Sequence, residues 1–263
     1  MRIVIISDVH SNLVALEAVL RHAEAQGPLR SFDYAQDRQA QGRPIDAFWW
    51  LGDIVGYGPQ PRECVARVRE LGAVTVAGNH DRAGTGKMGT AEFNPDAARA
   101  ARWTMGQLTP DEQSYLDALP EVLFKGEFTL VHGTLRWPIW EYLHSYEAAR
   151  AHLERQDTPF SLMGHTHVPM LVVEGQEFPQ GCQLYRLGDG MTVKLTRERK
   201  MAINPGAVGQ PRDGDPRASY GVYDTEEEAF TLHRVEYDIP TTQKLMETAR
   251  LPRWLIDRLA LGR

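Results

Sequence analysis

Five short polar stretches of this 263-residue chain place Asp, His or Asn beside or near glycine, and each follows an apolar run. Side chains two residues apart in an extended chain point to the same side, so D-x-H and H-x-H spacings can present two ligands to one ion. Five of the nine histidines lie in these stretches. The stretches are Asp8-Val9-His10, Gly52-Asp53, Gly78-Asn79-His80-Asp81, Val131-His132-Gly133 and Gly164-His165-Thr166-His167.

Each stretch alone also fits a helix cap or a turn, because Asp and Asn often form such local hydrogen bonds. All five in order favour a metal site instead. Carboxylate, imidazole and amide donors without a thiolate suit Mn, Fe, Zn, Ni or Co better than Ca or a Cys-rich Zn site. Seven candidate ligands exceed the needs of one ion and indicate two metals: Asp8, His10, Asp53, Asn79, His132, His165 and His167.

Short apolar runs precede all five stretches and predict buried strands. Helices are predicted between them, beginning with one that Asn12 can cap. Strand–helix–strand alternation favours a parallel sheet, in which sites form at the carboxyl ends of the strands. The predicted strands are 2–7, 45–51, 73–77, 128–132 and 160–163, and the later helices are 60–71, 94–108, 109–118 and 145–155.

The chain after Pro169 changes to short strands and turns, which predict an antiparallel second sheet. Gly188-Asp189-Gly190 is typical of a hairpin turn. A C-terminal helical segment is predicted at 240–263, where Pro252 is expected to break it. No repeat or linker is evident, so residues 1–263 are predicted to form one domain. The predicted strands of this half are 169–173, 183–187, 191–195, 201–203, 218–224 and 229–235.

Residues 27–44 are polar and show neither helical nor strand periodicity. This composition predicts a surface insertion. A lid or a partner-binding segment is the alternative.

Composition narrows the class of protein. The net charge of −6 argues against a general nucleic-acid binder or a membrane-surface binder. Cys64 and Cys182 stand apart without a C-x-x-C spacing, so neither a disulfide framework nor a thiolate metal site is indicated. No apolar run approaches the roughly 20 residues of a membrane span, and the N-terminus lacks a signal-peptide pattern. A cytoplasmic location is expected.

The order DxH, GD, GNHD, H and GHTH resembles that of the calcineurin-like metallophosphoesterase superfamily. The stretches GDIVGYGP (52–59) and NPGAVGQPRDG (204–214) are similar to its small bacterial and archaeal phosphodiesterase-type branch. The resemblance covers about residues 1–238. It implies an α/β fold, a four-layer α/β/β/α sandwich of two mixed sheets flanked by helices.

The resemblance also implies roles for the seven ligands. Asp53 would bridge two divalent transition-metal ions, Mn first, with Fe, Zn, Ni or Co as alternatives. A hydroxide bridging both metals would attack phosphorus. His80 would act as general acid on the leaving oxygen, with Asp81 orienting it. The first ion would be held by Asp8, His10 and His167, and the second by Asn79, His132 and His165.

Other residues have two interpretations each. Asn12 would touch the phosphate or cap a helix, and Arg212 would pair with a phosphate oxygen or lie on the surface. Tyr57 would line the pocket or pack in the core. Trp137 and Trp140 follow His132 closely and are expected to shape the substrate entrance.

The expected function is a metal-dependent phosphodiesterase acting on a small-molecule phosphoester. A phosphomonoesterase or a dinucleoside-polyphosphate hydrolase would share the same metal site and is the alternative. A non-catalytic scaffold with this fold is less favoured, because the family's scaffold lacks the histidine that His80 provides here. A homo-oligomer is left open.

Overall fold

A computed structural model describes residues 1–27 and 43–263 of the chain. Most of the predicted insertion at 27–44, namely residues 28–42, therefore lies outside the described part. Twelve strands in that part form two six-stranded mixed sheets.

The first sheet has the order β3-β2-β1-β11-β12-β9. Its first three strands pair in parallel, and β11 then joins β1 in the antiparallel direction. The carboxyl ends of β1, β2 and β3 consequently meet at one edge. The strands are β1 (Arg2–Ile6), β2 (Ala47–Trp50), β3 (Val74–Thr75), β9 (Thr192–Lys194), β11 (Ala218–Asp224) and β12 (Ala229–Val235).

The second sheet has the order β4-β5-β6-β10-β7-β8. Its strands β5, β6 and β10 run parallel, and the outer pairs are antiparallel. The strands are β4 (Val122–Lys125), β5 (Phe128–Val131), β6 (Phe160–Leu162), β7 (Met170–Glu174), β8 (Cys182–Arg186) and β10 (Met201–Asn204).

Two sequence predictions about the strands are wrong, and one strand was not predicted. The later strands do not form a separate antiparallel sheet, because β9, β11 and β12 extend the first sheet while β7, β8 and β10 extend the second. Gly188-Asp189-Gly190 does not join a hairpin, because β8 and β9 on its two sides belong to different sheets. The edge strand β4, which pairs with β5 through the turn at 126–127, was not predicted.

Three helices begin where the sequence predicts caps, whereas the short helix Asn79–Gly84 was not predicted. Asn12 and Asn94 accept hydrogen bonds from the amides three residues later, and Thr109 and Glu112 form a reciprocal capping box. The C-terminal segment is broken as predicted: one helix ends at Thr248, and the next begins at Arg253, directly after Pro252. The helices are α1 (Leu13–Gln26), α2 (Pro61–Glu70), α3 (Asn79–Gly84), α4 (Pro95–Gln107), α5 (Pro110–Asp117), α6 (Tyr146–Arg155), α7 (Ile239–Thr248), α8 (Arg253–Asp257) and a 3₁₀ turn (Arg258–Leu261).

Side-chain alternation along β1 shows how the layers are built. Ile3 and Ile5 pack between the two sheets against residues such as Phe128 and Phe160, whereas Val4 and Ile6 face the opposite way into the cluster under α1 and α2. Helix α6 covers the outer face of the second sheet. Strands buried on both faces need continuous apolar sequence, as β1 has. The four-layer α/β/β/α sandwich is therefore confirmed.

Candidate metal centre

The strand-end stretches converge into one buried cluster. Its members form three overlapping groups whose potential ligand atoms all lie within 4.8 Å of one another in each group. Asp53 belongs to two of the groups and so lies between the side chains from β1 and those from the second sheet. The groups are Asp8 with His10 and His167, Asp53 with His10 and His80, and Asp53 with His132 and His165.

The backbone is strained where these side chains project. Nine non-glycine residues in the described part of the chain have a positive φ, and five of them are candidate ligands. Such left-handed conformations cost free energy and persist where the surrounding structure enforces them, which is common at functional sites. The five φ values are 53° for Asp8, 49° for His10, 52° for Asp53, 65° for His165 and 58° for His167.

Four imidazoles in the cluster are oriented by backbone carbonyls. In each ring one nitrogen lies within hydrogen-bond distance of a carbonyl oxygen, so it carries the proton and leaves the other nitrogen as a potential ligand. The contacts are His10 Nδ1 to Val55 O at 3.2 Å, His132 Nδ1 to Leu51 O at 2.7 Å, His165 Nε2 to Trp140 O at 3.1 Å and His167 Nδ1 to Gln210 O at 2.6 Å.

The free ring nitrogens face one another and the acidic groups. His10 Nε2 lies 3.1 Å from His167 Nε2, and His132 Nε2 lies 3.2 Å both from Asn79 Oδ1 and from Asp53 Oδ2. The buried Asp53 Oδ2 also lies 3.6 Å from His10 Nε2, so imidazole nitrogens of two ligand groups approach the same oxygen. Several acceptor atoms at such short separations are unfavourable unless a proton or a cation lies between them.

The pKa shifts of Asp8, His165 and His167 favour the forms that bind metals, whereas metal-free His132 is protonated at pH 7 and would release that proton to a metal. Burial lowers the pKa of His165 well below its ordinary value and also lowers that of His167, so both imidazoles are neutral at pH 7. Burial also acts on His132, but Asp53 outweighs it and raises the pKa of His132 to about 9. Burial would raise the pKa of Asp8, yet the adjacent His167 and other groups bring it down to about 2. Ionised carboxylates and unprotonated imidazoles are the forms that bind metals.

These residues fit divalent transition metals. The donors are oxygen and imidazole nitrogen, and Asp53 is positioned between two groups of ligands, with Oδ2 close to an imidazole of each. The cluster could therefore hold metal ions.

A family model described as the calcineurin-like phosphoesterase superfamily domain matches residues 1–228. The chain belongs to this superfamily. A crystal structure of a metallophosphoesterase from Sphaerobacter thermophilus is similar at 45% identity and a TM-score of 0.84, covering 100% of this chain and 99% of that one. The uncharacterised protein MJ0912 of Methanocaldococcus jannaschii is 36% identical over 99% of this chain and 98% of its own length.

A third relative is similar over a shorter region. A symmetrical bis(5'-nucleosyl)-tetraphosphatase of Aromatoleum aromaticum is 30% identical over 51% of this chain and 48% of its own length. No helix in the described residues of this phosphoesterase is long and apolar enough to cross a membrane.

His80 and Asp81 point in different directions from α3. His80 packs against Tyr57 and Phe93, with ring centroids 4.2 Å and 4.8 Å away, and its Nδ1 has no hydrogen-bond partner among the described residues. The Asp81 carboxylate accepts three backbone N–H groups instead, from Asp53 and Gly78 at 2.9 Å each and from Val55 at 3.1 Å. Asp81 thus ties the end of β2 to the end of β3.

Asn12 and Arg212 occupy different environments. Asn12 caps α1, accepting from Ala15 N at 3.2 Å, and its amide also donates to Gly209 O at 3.0 Å. A contact of Asn12 with phosphate would have to replace these bonds. Arg212 is half-buried, donates to Gln210 Oε1 at 2.9 Å, and its guanidinium lies 5.7 Å over the ring of Tyr57.

The sequence did not single out two aromatic residues of the pocket, Phe93 and Tyr142. A cleft of about 450 Å³ opens beside His80 and Asn79, and Phe93 and Tyr142 line it together with the expected tryptophans. Tyr142 also stacks on the candidate ligand His165 with ring centroids 3.8 Å apart. An aromatic residue in the polar stretch before α4 was the available signal for Phe93.

Proposed function

We propose that this phosphoesterase is a metal-dependent phosphodiesterase acting on a small-molecule substrate. The position of Asp53 carries the proposal, because one carboxylate shared by two ligand groups is the arrangement that two adjacent ions require. Manganese is proposed as the first choice of metal, since the donor set is oxygen and imidazole without sulfur.

The seven ligands have the roles expected from the resemblance. When bound, two divalent ions would supply an activated water and neutralise charge on the phosphoryl oxygens. The chain's own contribution is to fix the ligands before metal arrives, through the carbonyl contacts of the imidazoles and the strained strand ends. The first ion is assigned to Asp8, His10 and His167, the second to Asn79, His132 and His165, and Asp53 to both.

His80 is proposed as the group that acts on the leaving oxygen. It borders both the cluster and the cleft. Burial lowers its pKa to about 4, so the imidazole of the free protein is neutral at pH 7 and offers one N–H as a donor. The negative charge of a bound phosphoester would raise this pKa, so that the ring could take up a proton from water and then donate it to the leaving oxygen. Arg212 is proposed to pair with a phosphoryl oxygen, because none of the ion pairs found among the described residues includes it.

The cleft supports a diester over a monoester. Its volume of about 450 Å³ lies in the range of small-molecule pockets, and it adjoins His80, so a sizeable ester group can be held there. Hydrolysis of a dinucleoside polyphosphate is the second candidate. The partial likeness to the bis(5'-nucleosyl)-tetraphosphatase favours it.

The test is hydrolysis by manganese-reconstituted protein of bis(4-nitrophenyl) phosphate, 4-nitrophenyl phosphate and diadenosine tetraphosphate, paired with elemental analysis. We expect two metals per chain and the highest kcat/KM for the diester. His80→Ala is expected to keep both metals and lose about 10²- to 10⁴-fold in kcat, whereas Asp53→Ala is expected to lose metal as well.

A matched control is His22→Ala, because His22 lies on α1 and contacts Tyr220 rather than the cluster. It should keep the metals and the turnover. Unchanged kcat in His80→Ala would contradict the role of His80. Two bound metals without hydrolysis of any of the three esters would contradict the enzyme proposal and favour a scaffold.

A further inference from the structure

The cleft beside the metal centre has an aromatic lining. Besides His80 and Asn79, its lining includes five aromatic residues: Tyr57, Phe93, Trp137, Trp140 and Tyr142. Single exposed apolar residues are common, but a group of them around a cleft often marks a ligand-binding site. Trp137 is 62% exposed, and Tyr142 is 41% exposed.

The rings are arranged as a continuous path from the reacting centre. Phe93 lies 4.8 Å from the ring of His80, and Trp140 meets Phe93 edge-to-face at 5.4 Å. Both distances lie within the range of favourable aromatic pairs. If a phosphoester binds at the cluster with its leaving group towards His80, that leaving group would therefore contact aromatic rings.

The loop that carries Trp137 and Trp140 is held by hydrogen bonds within the loop and by one to α6. The Nε–H of Arg136 is shared between the two carboxylate oxygens of Glu141, each 3.0 Å away, and the guanidinium lies 5.4 Å over the ring of Trp137. The backbone N–H of Leu135 donates to His152 at 3.1 Å. Binding a ring to such a preformed wall costs little ordering entropy.

The charged side chains differ between the cleft and the cluster, and this indicates which part of the substrate binds in each. Among the described residues, those that line the cleft include Glu92 but no Lys or Arg, whereas Arg212 lies over Tyr57 and its backbone N–H donates to His167 O in the cluster. A second phosphate in the cleft would therefore meet a carboxylate and no cation. The part of the substrate that enters the cleft should be uncharged.

We propose that the cleft walled by Phe93, Trp137 and Trp140 binds a planar aromatic leaving group, an aryl or nucleobase-bearing alcohol, of the phosphoester held at the metal centre. This inference rests on the phosphodiesterase function proposed above. Trp137 is then a specificity-determining residue that contacts the substrate ring.

The experiment compares two diesters that share a methyl group and differ in the leaving group. One leaves phenol, and the other leaves a fluorinated alkyl alcohol of matched acidity, so that only the ring distinguishes them. Aromatic stacking corresponds to about a 5- to 150-fold effect per ring. We expect manganese-loaded wild type to prefer the phenyl ester by a ratio of kcat/KM in this range, mainly through KM.

Trp137→Ala is expected to bring this ratio towards one, and Trp137→Phe, which keeps a ring, is expected to restore most of it. Phe124→Ala is the matched control, since Phe124 is also 62% exposed but lies on β4 outside the cleft. It should keep the wild-type ratio. Thermal unfolding of each variant checks that the fold is retained.

The outcomes separate the two proposals. Hydrolysis of both esters at similar efficiency, or a preference for the phenyl ester that survives in Trp137→Ala, would overturn the aromatic leaving-group site and leave the phosphodiesterase intact. Hydrolysis of neither ester by protein with two bound metals would overturn the phosphodiesterase function, and the inference with it.

Discussion

His152 provides a test of the packing behind the loop that carries Trp137 and Trp140, because it contacts Leu135 in that loop. Its side chain in α6 has no exposed surface. Nδ1 accepts the N–H of Leu135 at 3.1 Å, and Nε2 donates to Ser161 Oγ at 2.8 Å, which in turn donates to Gln156 Oε1 at 2.7 Å. This chain of bonds requires the neutral ring, because a proton on Nδ1 would face the N–H of Leu135.

The magnitude follows from proton linkage. Burial lowers the pKa of His152 to about 3, against 6.5 in the unfolded chain. Between these values the unfolded state binds more protons than the folded state, so stability falls as the pH falls through 6.5 towards 3. At pH 5, about 1.5 units below the unfolded pKa, His152 should cost about 2 kcal/mol relative to pH 7.5, at about 1.36 kcal/mol per unit. The folded pKa hardly affects this figure while it stays well below 5.

The assay is urea unfolding of wild type and His152→Gln at pH 7.5 and pH 5, with metal chelated in all samples. Other groups titrate in both proteins, so their contributions largely cancel in the difference. The variant is expected to be less stable at pH 7.5, and its deficit should shrink by about 2 kcal/mol at pH 5. A deficit of equal size at both pH values would refute the assignment of a buried neutral His152.

Two further predictions concern the connection between β2 and β3. Asp81→Asn should cost about 1–3 kcal/mol in urea unfolding and weaken metal binding, because an amide cannot accept three backbone N–H groups. Normal stability and metal content with lost turnover would instead favour the original idea that Asp81 orients His80. Gly78→Ala should lose metal by elemental analysis, because a Cβ there would lie 2.5 Å from Asp53 N and closer still to its carboxylate. Gly106→Ala, whose Cβ would have nothing within 4 Å, is its control, and two metals in Gly78→Ala would contradict this reasoning.

The candidate ligands could be predicted because their signal is local. A polar residue that directly follows a short apolar run can be recognised in the sequence, and parallel strands bring their carboxyl ends together at one edge of the sheet. The partner of Asp81 could not be predicted in the same way. His80 and Asp81 are neighbours in the chain, but α3 turns successive side chains by about 100°, so adjacent residues in a helix do not face each other.

The local sequence pattern also could not predict which of the two sheets each later strand joins. The connection between β8 and β9 is short and rich in glycine, like that of a hairpin, yet β8 pairs with β7 and β9 pairs with β12. Which pairing forms depends on distant strands that bury each face. Met201–Asn204 is fully buried because β6 and β7 flank it, a fact that its four residues do not reveal.

His165 links the metal centre to the aromatic cleft. Its Nε2 contacts Trp140 O at 3.1 Å, which leaves Nδ1 to face the cluster, and Tyr142 stacks on its ring. The same loop therefore orients a candidate ligand and supplies the wall that we assign to the leaving group. The distance from a bound ring to the reacting phosphorus would then depend on the position of this loop. Changes to the loop backbone should consequently alter metal affinity and ring selectivity together, whereas a change to the exposed Trp137 side chain should alter selectivity alone.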